Sequence, residues 1–168
     1  MHIHGHRLAH AEMNALNALD YGRLDPRNCT LYTTTEPCPL CTGAIRMTKI
    51  GAVRYAARDS AAGSVALLEA TPFMRRGGVR VVGPERADLE AIITAMHVEF
   101  SLHDGLLERS TYLFDCWEPI MPAGVALGRA LHASGELRRL GATAAPGATV
   151  IDRLAELLSG AAASSTSA

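Results

Sequence analysis

The sequence predicts an α/β fold. Segments rich in β-branched and aromatic residues alternate along the chain with segments of helical periodicity, and glycines or prolines separate them. This alternation is typical of a sheet whose strands are joined by crossover helices. The chain has 168 residues, which is about the size of one domain, so a single layered core is expected.

The first predicted elements are a helix, a strand and a second helix. Apolar residues recur at helical spacing over residues 9 to about 21, and Gly22 follows as a helix stop. Residues 30–35 are mostly β-branched or aromatic, which predicts a strand. This strand leads to the edge of the sheet, where a second helix is expected over residues 38 to about 47.

Two further strands are predicted over residues 53–57 and 79–82, with a short helix over 64–70 between them. After Pro84 an apolar stripe at three-to-four spacing predicts an amphipathic helix that lies on the sheet. The stripe consists of Leu89, Ile92, Ile93, Met96 and Phe100. These elements complete the expected core.

The last part of the chain predicts helices over residues 123–137 and 149–158, joined by a linker. Residues 160–168 contain only Gly, Ala, Ser and Thr, and this composition predicts disorder. The expected domains are a core, a helical extension and a disordered tail, at residues 1–122, 123–159 and 160–168.

Composition argues against several classes of protein. Lys and Arg number 16 against 17 Asp and Glu, and they are interspersed, so no electrostatic footprint for a long polynucleotide is present. No apolar run approaches the roughly 18 residues of a membrane span, and no secretory signal is recognisable, so we expect a cytoplasmic protein without a membrane partner. In that compartment the four cysteines favour metal binding over disulfides.

Three side chains offer the ligand atoms that zinc prefers. Cys38 and Cys41 are three residues apart at the start of a predicted helix, so their sulfurs share a side and the helix N-terminus favours the thiolates. His10 can approach from the neighbouring helix. Three protein ligands leave the fourth tetrahedral position for water, whose pKa zinc lowers to about 7. We therefore predict one zinc ion per chain.

Glu12 is the predicted proton carrier. Release of ammonia from an aminated heterocycle requires protons at the ring nitrogen and at the leaving amine, and Glu12 lies two residues from His10. A C-x-x-C pair alone also occurs in structural zinc corners and redox pairs, and a lone H-x-E is common. The conjunction of both motifs in this order, with Pro37 before the first cysteine, favours a catalytic zinc.

These residues resemble the cytidine and deoxycytidylate deaminase superfamily, whose signature is H-x-E followed by P-C-x-x-C. The likeness extends through residues 10–16, 35–45 and 57–59 and is nearest to the branch of tRNA adenosine, guanine and cytosine deaminases. It covers about residues 6 to 102.

The resemblance implies a three-layer α/β/α sandwich with a mixed central sheet, to which this chain adds C-terminal helices, and a homodimer or larger homo-oligomer. It also implies hydrolysis of a C–N bond, other than a peptide bond, in a cyclic amidine. The backbone amide of Cys38 would help to bind the attacked position. Glu36 matches a family glutamate beside the site, where a supporting role and a purely structural hydrogen bond to the turn both remain open.

The sequence departs from the family before His10. Only nine residues precede this histidine, where members of the branch usually carry a helix, two strands and an asparagine that binds the base. We expect either a shortened reading frame or another element, such as the C-terminal helices, in place of those strands. An open sheet edge would favour oligomerisation. Zinc binding should persist, with impaired turnover if the strands are not replaced.

The favoured function is hydrolytic, zinc-dependent release of ammonia from a nucleobase, a nucleoside or a related small aminated heterocycle. Deamination of tRNA adenosine is an alternative, although the near-neutral charge counts against it. A third hypothesis is a catalytically incomplete zinc domain that serves as a scaffold. The intact Glu12 argues against that hypothesis, because a structural zinc needs no proton carrier.

Overall fold

The computed structural model describes residues 6–105 and 111–165. The chain divides into two compact units, one ending at Glu85 and the other beginning at Arg86. The first unit contains the sheet, and the described elements of the second unit are helices. The expected α/β class is therefore confirmed.

Three parallel strands form the described sheet of the first unit. They are β1 (Thr30–Thr35), β2 (Ala52–Ala57) and β3 (Arg80–Val82), in that order across the sheet. Within the register of β1 on β2, Thr33 lies opposite Tyr55 and Thr35 opposite Ala57. The described sheet is thus parallel throughout, whereas the resemblance implied a mixed sheet.

The helices of the first unit lie between the strands or before them. They are α1 (Ala11–Asn17), α2 (Pro39–Met47) and α3 (Pro72–Arg75), with 3-10 helices at Pro26–Asn28 and Val65–Glu69. The first helix is shorter than expected, and α3 and the first 3-10 helix were not predicted from the sequence. Three or four residues are too few to show a helical period, which explains why these elements were missed.

One hydrophobic cluster holds the first unit together. Leu16 of α1, Ile45 of α2 and Val53 of β2 are buried and pack together with Ile50. Burial of each such side chain contributes about 1.5–3 kcal/mol. The cluster fixes α1 against α2, and the N-terminal ends of these two helices carry the motif residues.

The second unit consists of helices in the part that the structure describes. They are α4 (Ala87–His103), α5 (Tyr112–Trp117), α6 (Pro122–Ser134), α7 (Glu136–Ala142) and α8 (Gly147–Ser165). Its larger cluster combines Ile92 and Ala95 of α4 with Leu127 and Leu131 of α6 and Leu154 of α8. In the described ranges, none of the helices has both the length and the apolar character that crossing a membrane requires.

The structure corrects two expectations for the second unit. Phe100 was assigned to the apolar stripe of α4, yet it is 56% exposed, because this helix is buried on most of its other sides instead of along one stripe. Residues 160–165 continue α8, although their composition predicted disorder. Alanine favours a helix that is already nucleated, and the preceding turns are anchored by Leu154. The rest of the predicted tail, residues 166–168, lies outside the described residues.

The domain boundary expected at residue 122 remains a prediction. The boundary between the two compact units lies earlier in the chain, between Glu85 and Arg86.

Gly135 separates α6 from α7 in a left-handed conformation with φ 67°. Glycine adopts this conformation without steric cost, so it ends α6 and lets the chain turn.

Gly128 on α6 should be essential for the packing of the second unit. A Cβ at Gly128 would lie 2.6 Å from the Cβ of Val98 and 2.7 Å from the carbonyl oxygen of Ala95, both on α4. We expect Gly128→Ala to lower the free energy of unfolding by about 1–3 kcal/mol. Urea unfolding of the purified protein measures this change.

The matched control is Gly141→Ala on α7, where an added Cβ would have no atom within 4 Å. That variant should gain helix propensity and be unchanged or more stable by up to about 1 kcal/mol. Equal stability changes for Gly128→Ala and Gly141→Ala would contradict the close approach of α6 to α4.

Candidate metal centre

The predicted ligands lie where two helices begin. His10 is the N-cap residue of α1. Cys38 is the N-cap residue of α2, and Cys41 lies within the first turn of that helix. Because α1 and α2 share the Leu16–Ile45 cluster, their N-terminal ends are brought together. The structure therefore unites three residues that are up to 31 positions apart in the sequence.

The three ligand atoms match a tetrahedral zinc site in their spacing. The Nδ1 atom of His10 lies 3.5 Å from the Sγ atom of Cys38 and 3.5 Å from that of Cys41, and the two sulfurs are 3.7 Å apart. Tetrahedral zinc with ordinary bond lengths places sulfur about 3.6 Å from nitrogen and about 3.8 Å from sulfur. The observed triangle leaves room for the ion at its ordinary bond lengths.

The electrostatics of the group also call for a cation. Burial raises the pKa of the Cys41 thiol well above its ordinary range, and the nearby Glu12 carboxylate and Cys38 raise it further. Two thiolates beside a carboxylate are therefore unfavourable without positive charge. A divalent metal compensates this charge and holds coordinating thiols in the thiolate form. The residues present fit one zinc ion per chain.

Part of this group is accessible to solvent. Cys41 is fully buried, whereas His10 and Cys38 are half-buried. His10, Cys38 and Cys41 have their ligand atoms within 4.8 Å of one another, and among the described residues no other group of three His, Cys, Asp or Glu side chains does. Cys29 and Cys116 are free thiols outside it.

The turn that carries Cys38 is held by hydrogen bonds to a later loop. The carbonyl oxygen of the buried Pro37 accepts from the backbone N–H of Ser64 at 2.9 Å and from the Thr42 hydroxyl at 3.2 Å. The Glu36 N–H donates to the carbonyl oxygen of Ala57 at 2.8 Å. These bonds fix the direction in which the chain enters α2.

Glu36 joins this scaffold through its side chain. Its Oε1 atom accepts a hydrogen bond from the backbone N–H of Val65 at 3.2 Å. Val65 begins the second 3-10 helix, so Glu36 connects the cysteine turn to that helix. Of the two roles considered for Glu36, this contact supports the structural one.

Glu12 lies in the second residue of α1 and is half-buried. Its Oε1 atom accepts a hydrogen bond from the hydroxyl of Thr33 on β1 at 3.1 Å. After burial, the charge of Glu12 is the next cause of the raised pKa of the Cys41 thiol, and the two side chains are hydrogen-bonded, so the carboxylate lies beside the ligand group. Sequence reasoning missed Thr33, although strand alternation does put Thr33 and Thr35 on one face of β1, which leads directly into the motif.

The geometry predicts about one zinc ion per purified chain. The Cys41→Ser variant should lose most of this zinc content, because the substitution removes one of the three ligands. Removal of zinc by a chelator should lower the free energy of unfolding, because the buried ligand group then loses its compensating charge. Elemental analysis and urea unfolding with and without chelator measure these effects. Cys116→Ser is the matched control, and it should keep both zinc and stability.

The sequence model of the cytidine and deoxycytidylate deaminase zinc-binding region matches residues 2–57. Over 36 residues the chain is 53% identical to a probable cytosine deaminase of Schizosaccharomyces pombe, which covers 21% of this chain and 22% of that protein. No solved structure matches the chain at a significant level.

Two Bacillus subtilis proteins are also similar. A tRNA-specific adenosine deaminase is 42% identical over 60 residues, covering 33% of this chain and 36% of that protein. A guanine deaminase is 45% identical over 56 residues, covering 31% and 35%. The similarity thus spans about a third or less of each of these relatives. Over residues 2–57, this chain is similar to the zinc-binding region of the cytidine and deoxycytidylate deaminases.

Proposed function

We propose that the chain is a zinc-dependent hydrolytic deaminase acting on a nucleobase, a nucleoside or a related small aminated heterocycle. The observation that carries this proposal is the tetrahedral spacing of His10, Cys38 and Cys41 with the Glu12 carboxylate beside Cys41. A zinc ion with a purely structural role does not require an adjacent carboxylate that is not one of its ligands. The names of the similar cytosine and guanine deaminases support the class of substrate.

Each residue has a distinct task in the proposed reaction. His10, Cys38 and Cys41 would hold zinc, which would supply the Lewis acidity that lowers the pKa of water to about 7. The Glu12 carboxylate accepts the proton that water gives up as its oxygen bonds to the amino-bearing carbon. Glu12 passes this proton to the ring nitrogen, takes the second proton from the hydroxyl group now on the carbon and delivers it to the amine. The C–N bond then breaks, ammonia leaves and a carbonyl group remains on the ring.

We propose a role for the backbone of Cys38 as well. Cys38 is the N-cap of α2, and the first amide hydrogens of a helix are not used within the helix. We propose that the Cys38 N–H donates a hydrogen bond at the attacked position of the substrate. The positive end of the α2 dipole adds to this stabilisation where negative charge develops.

Deamination of adenosine in tRNA is a second candidate. The similarity to a tRNA-specific adenosine deaminase is the observation that favours it, since that relative shares 60 aligned residues. The formal net charge of −1 weighs against extensive phosphate contacts. A small substrate therefore remains the first choice.

We also propose that a second copy of the chain covers the open edge of the sheet. In the described strand order β1 is an edge strand that pairs only with β2, and its Tyr32 side chain is 72% exposed. Unpaired backbone groups on such an edge are usually covered by another segment or subunit. The molar mass measured by light scattering distinguishes a monomer from a homo-oligomer.

Glu12→Gln should separate zinc binding from turnover. Glutamine keeps the shape of the side chain but cannot take up the proton, so ammonia release should fall at least about a hundredfold while zinc content stays unchanged. The assay screens zinc-loaded protein against bases, nucleosides, nucleotides and tRNA, with ammonia release as the readout. The matched control is Glu69→Gln, an exposed glutamate of the same unit.

Turnover by Glu12→Gln equal to that of the wild type would refute the assignment of the proton carrier. Turnover only with tRNA, with an affinity that falls steeply as salt increases, would favour the second candidate. Stoichiometric zinc without ammonia release from any substrate of the panel would support the scaffold hypothesis instead.

A further inference from the structure

The Thr33 hydroxyl has two acceptors at nearly equal distances. Its Oγ1 atom lies 3.1 Å from the Oε1 atom of Glu12 and 3.0 Å from the carbonyl oxygen of Thr35. A hydroxyl group carries a single hydrogen, which can be donated fully to only one acceptor at a time. The hydroxyl can therefore switch acceptor by rotation about one bond, without movement of β1.

Thr33 contacts the Glu12 carboxylate, which lies beside other negatively charged groups. Glu12 lies near Cys41, and the negative charges of the thiolates repel its carboxylate. The Thr33 hydroxyl is a neutral donor, so it fixes Glu12 by a hydrogen bond and not by a salt bridge. Thr33 is half-buried, so water competes less for this contact than it would on an exposed strand.

We propose that Thr33 is a positioning residue that holds the Glu12 side chain in place through its hydroxyl group. This inference rests on the proposed function, in which Glu12 carries protons to the substrate. The hydrogen bond joins β1 to α1 and limits the rotation of the Glu12 side chain, so the carboxylate stays beside the ligand group.

The substitution that tests this role is Thr33→Val, which keeps the shape of the side chain and removes the hydroxyl. We expect kcat to fall about tenfold or more, since hydrogen bonds to charged groups are among the stronger ones, with KM changed less than about twofold. Zinc content should not change. Thr33→Ser restores the hydroxyl and should recover most of kcat, which a purely steric role of Thr33 does not predict.

Thr34→Val is the matched control. Thr34 is the next residue of β1, is exposed, and is also β-branched, so the same change there tests the effect on the strand alone. We expect its kcat, KM and zinc content to match those of the wild type. Equal losses of kcat in Thr33→Val and Thr34→Val would overturn the proposal.

A double-mutant cycle tests the contact without any activity measurement. In zinc-loaded protein, Thr33→Val should shift the urea midpoint of unfolding more when Glu12 is present than in the Glu12→Ala background. An equal shift in both backgrounds overturns the proposal, whether or not a substrate has been found. If Glu12→Gln is inactive but Thr33→Val keeps full turnover, the role of Thr33 is refuted and the proposed function stands.

Discussion

The packing of α1 against α2 is the constraint on which the metal centre depends. Leu16 and Ile45 are buried in one cluster, and this contact brings the N-cap of α1 to the N-cap of α2. Helix N-termini favour negative charge, which suits two thiolates. The same convergence places the Glu12 carboxylate beside the thiols, so ionisation of Cys41 is unfavourable unless a cation compensates the charge. We therefore expect metal binding to be coupled to the folding of this unit.

The metal centre could be predicted from the sequence because its residues stand in two short motifs, although His10 and Cys41 are 31 positions apart. Cys38 and Cys41 are spaced by one helical turn, and His10 stands at a helix start. The contact of Thr33 with Glu12 belongs to no such motif. No pattern in the sequence states which side chain of β1 meets α1, so this contact required the structure.

The fold was predictable to a similar degree. The three strands followed from β-branched runs, and the long helices followed from their apolar spacing. The predictions were wrong where the burial of a helix, or the continuation of a preceding helix, outweighs the composition of the segment. Phe100 is exposed because α4 buries most of its other sides, and residues 160–165 are helical because they extend a helix anchored at Leu154. Short helices such as α3 carry too few residues to produce a pattern.

The hydrogen bonds that hold the cysteine turn have a consequence for the boundaries of the metal-binding module. The region shared with the deaminase family model ends at residue 57, yet Pro37 and Glu36 receive hydrogen bonds from the backbone of Ser64 and Val65. A fragment cut at residue 57 would keep every ligand and lose the donors that orient the turn. The smallest transplantable zinc module of this protein therefore extends at least to the second 3-10 helix.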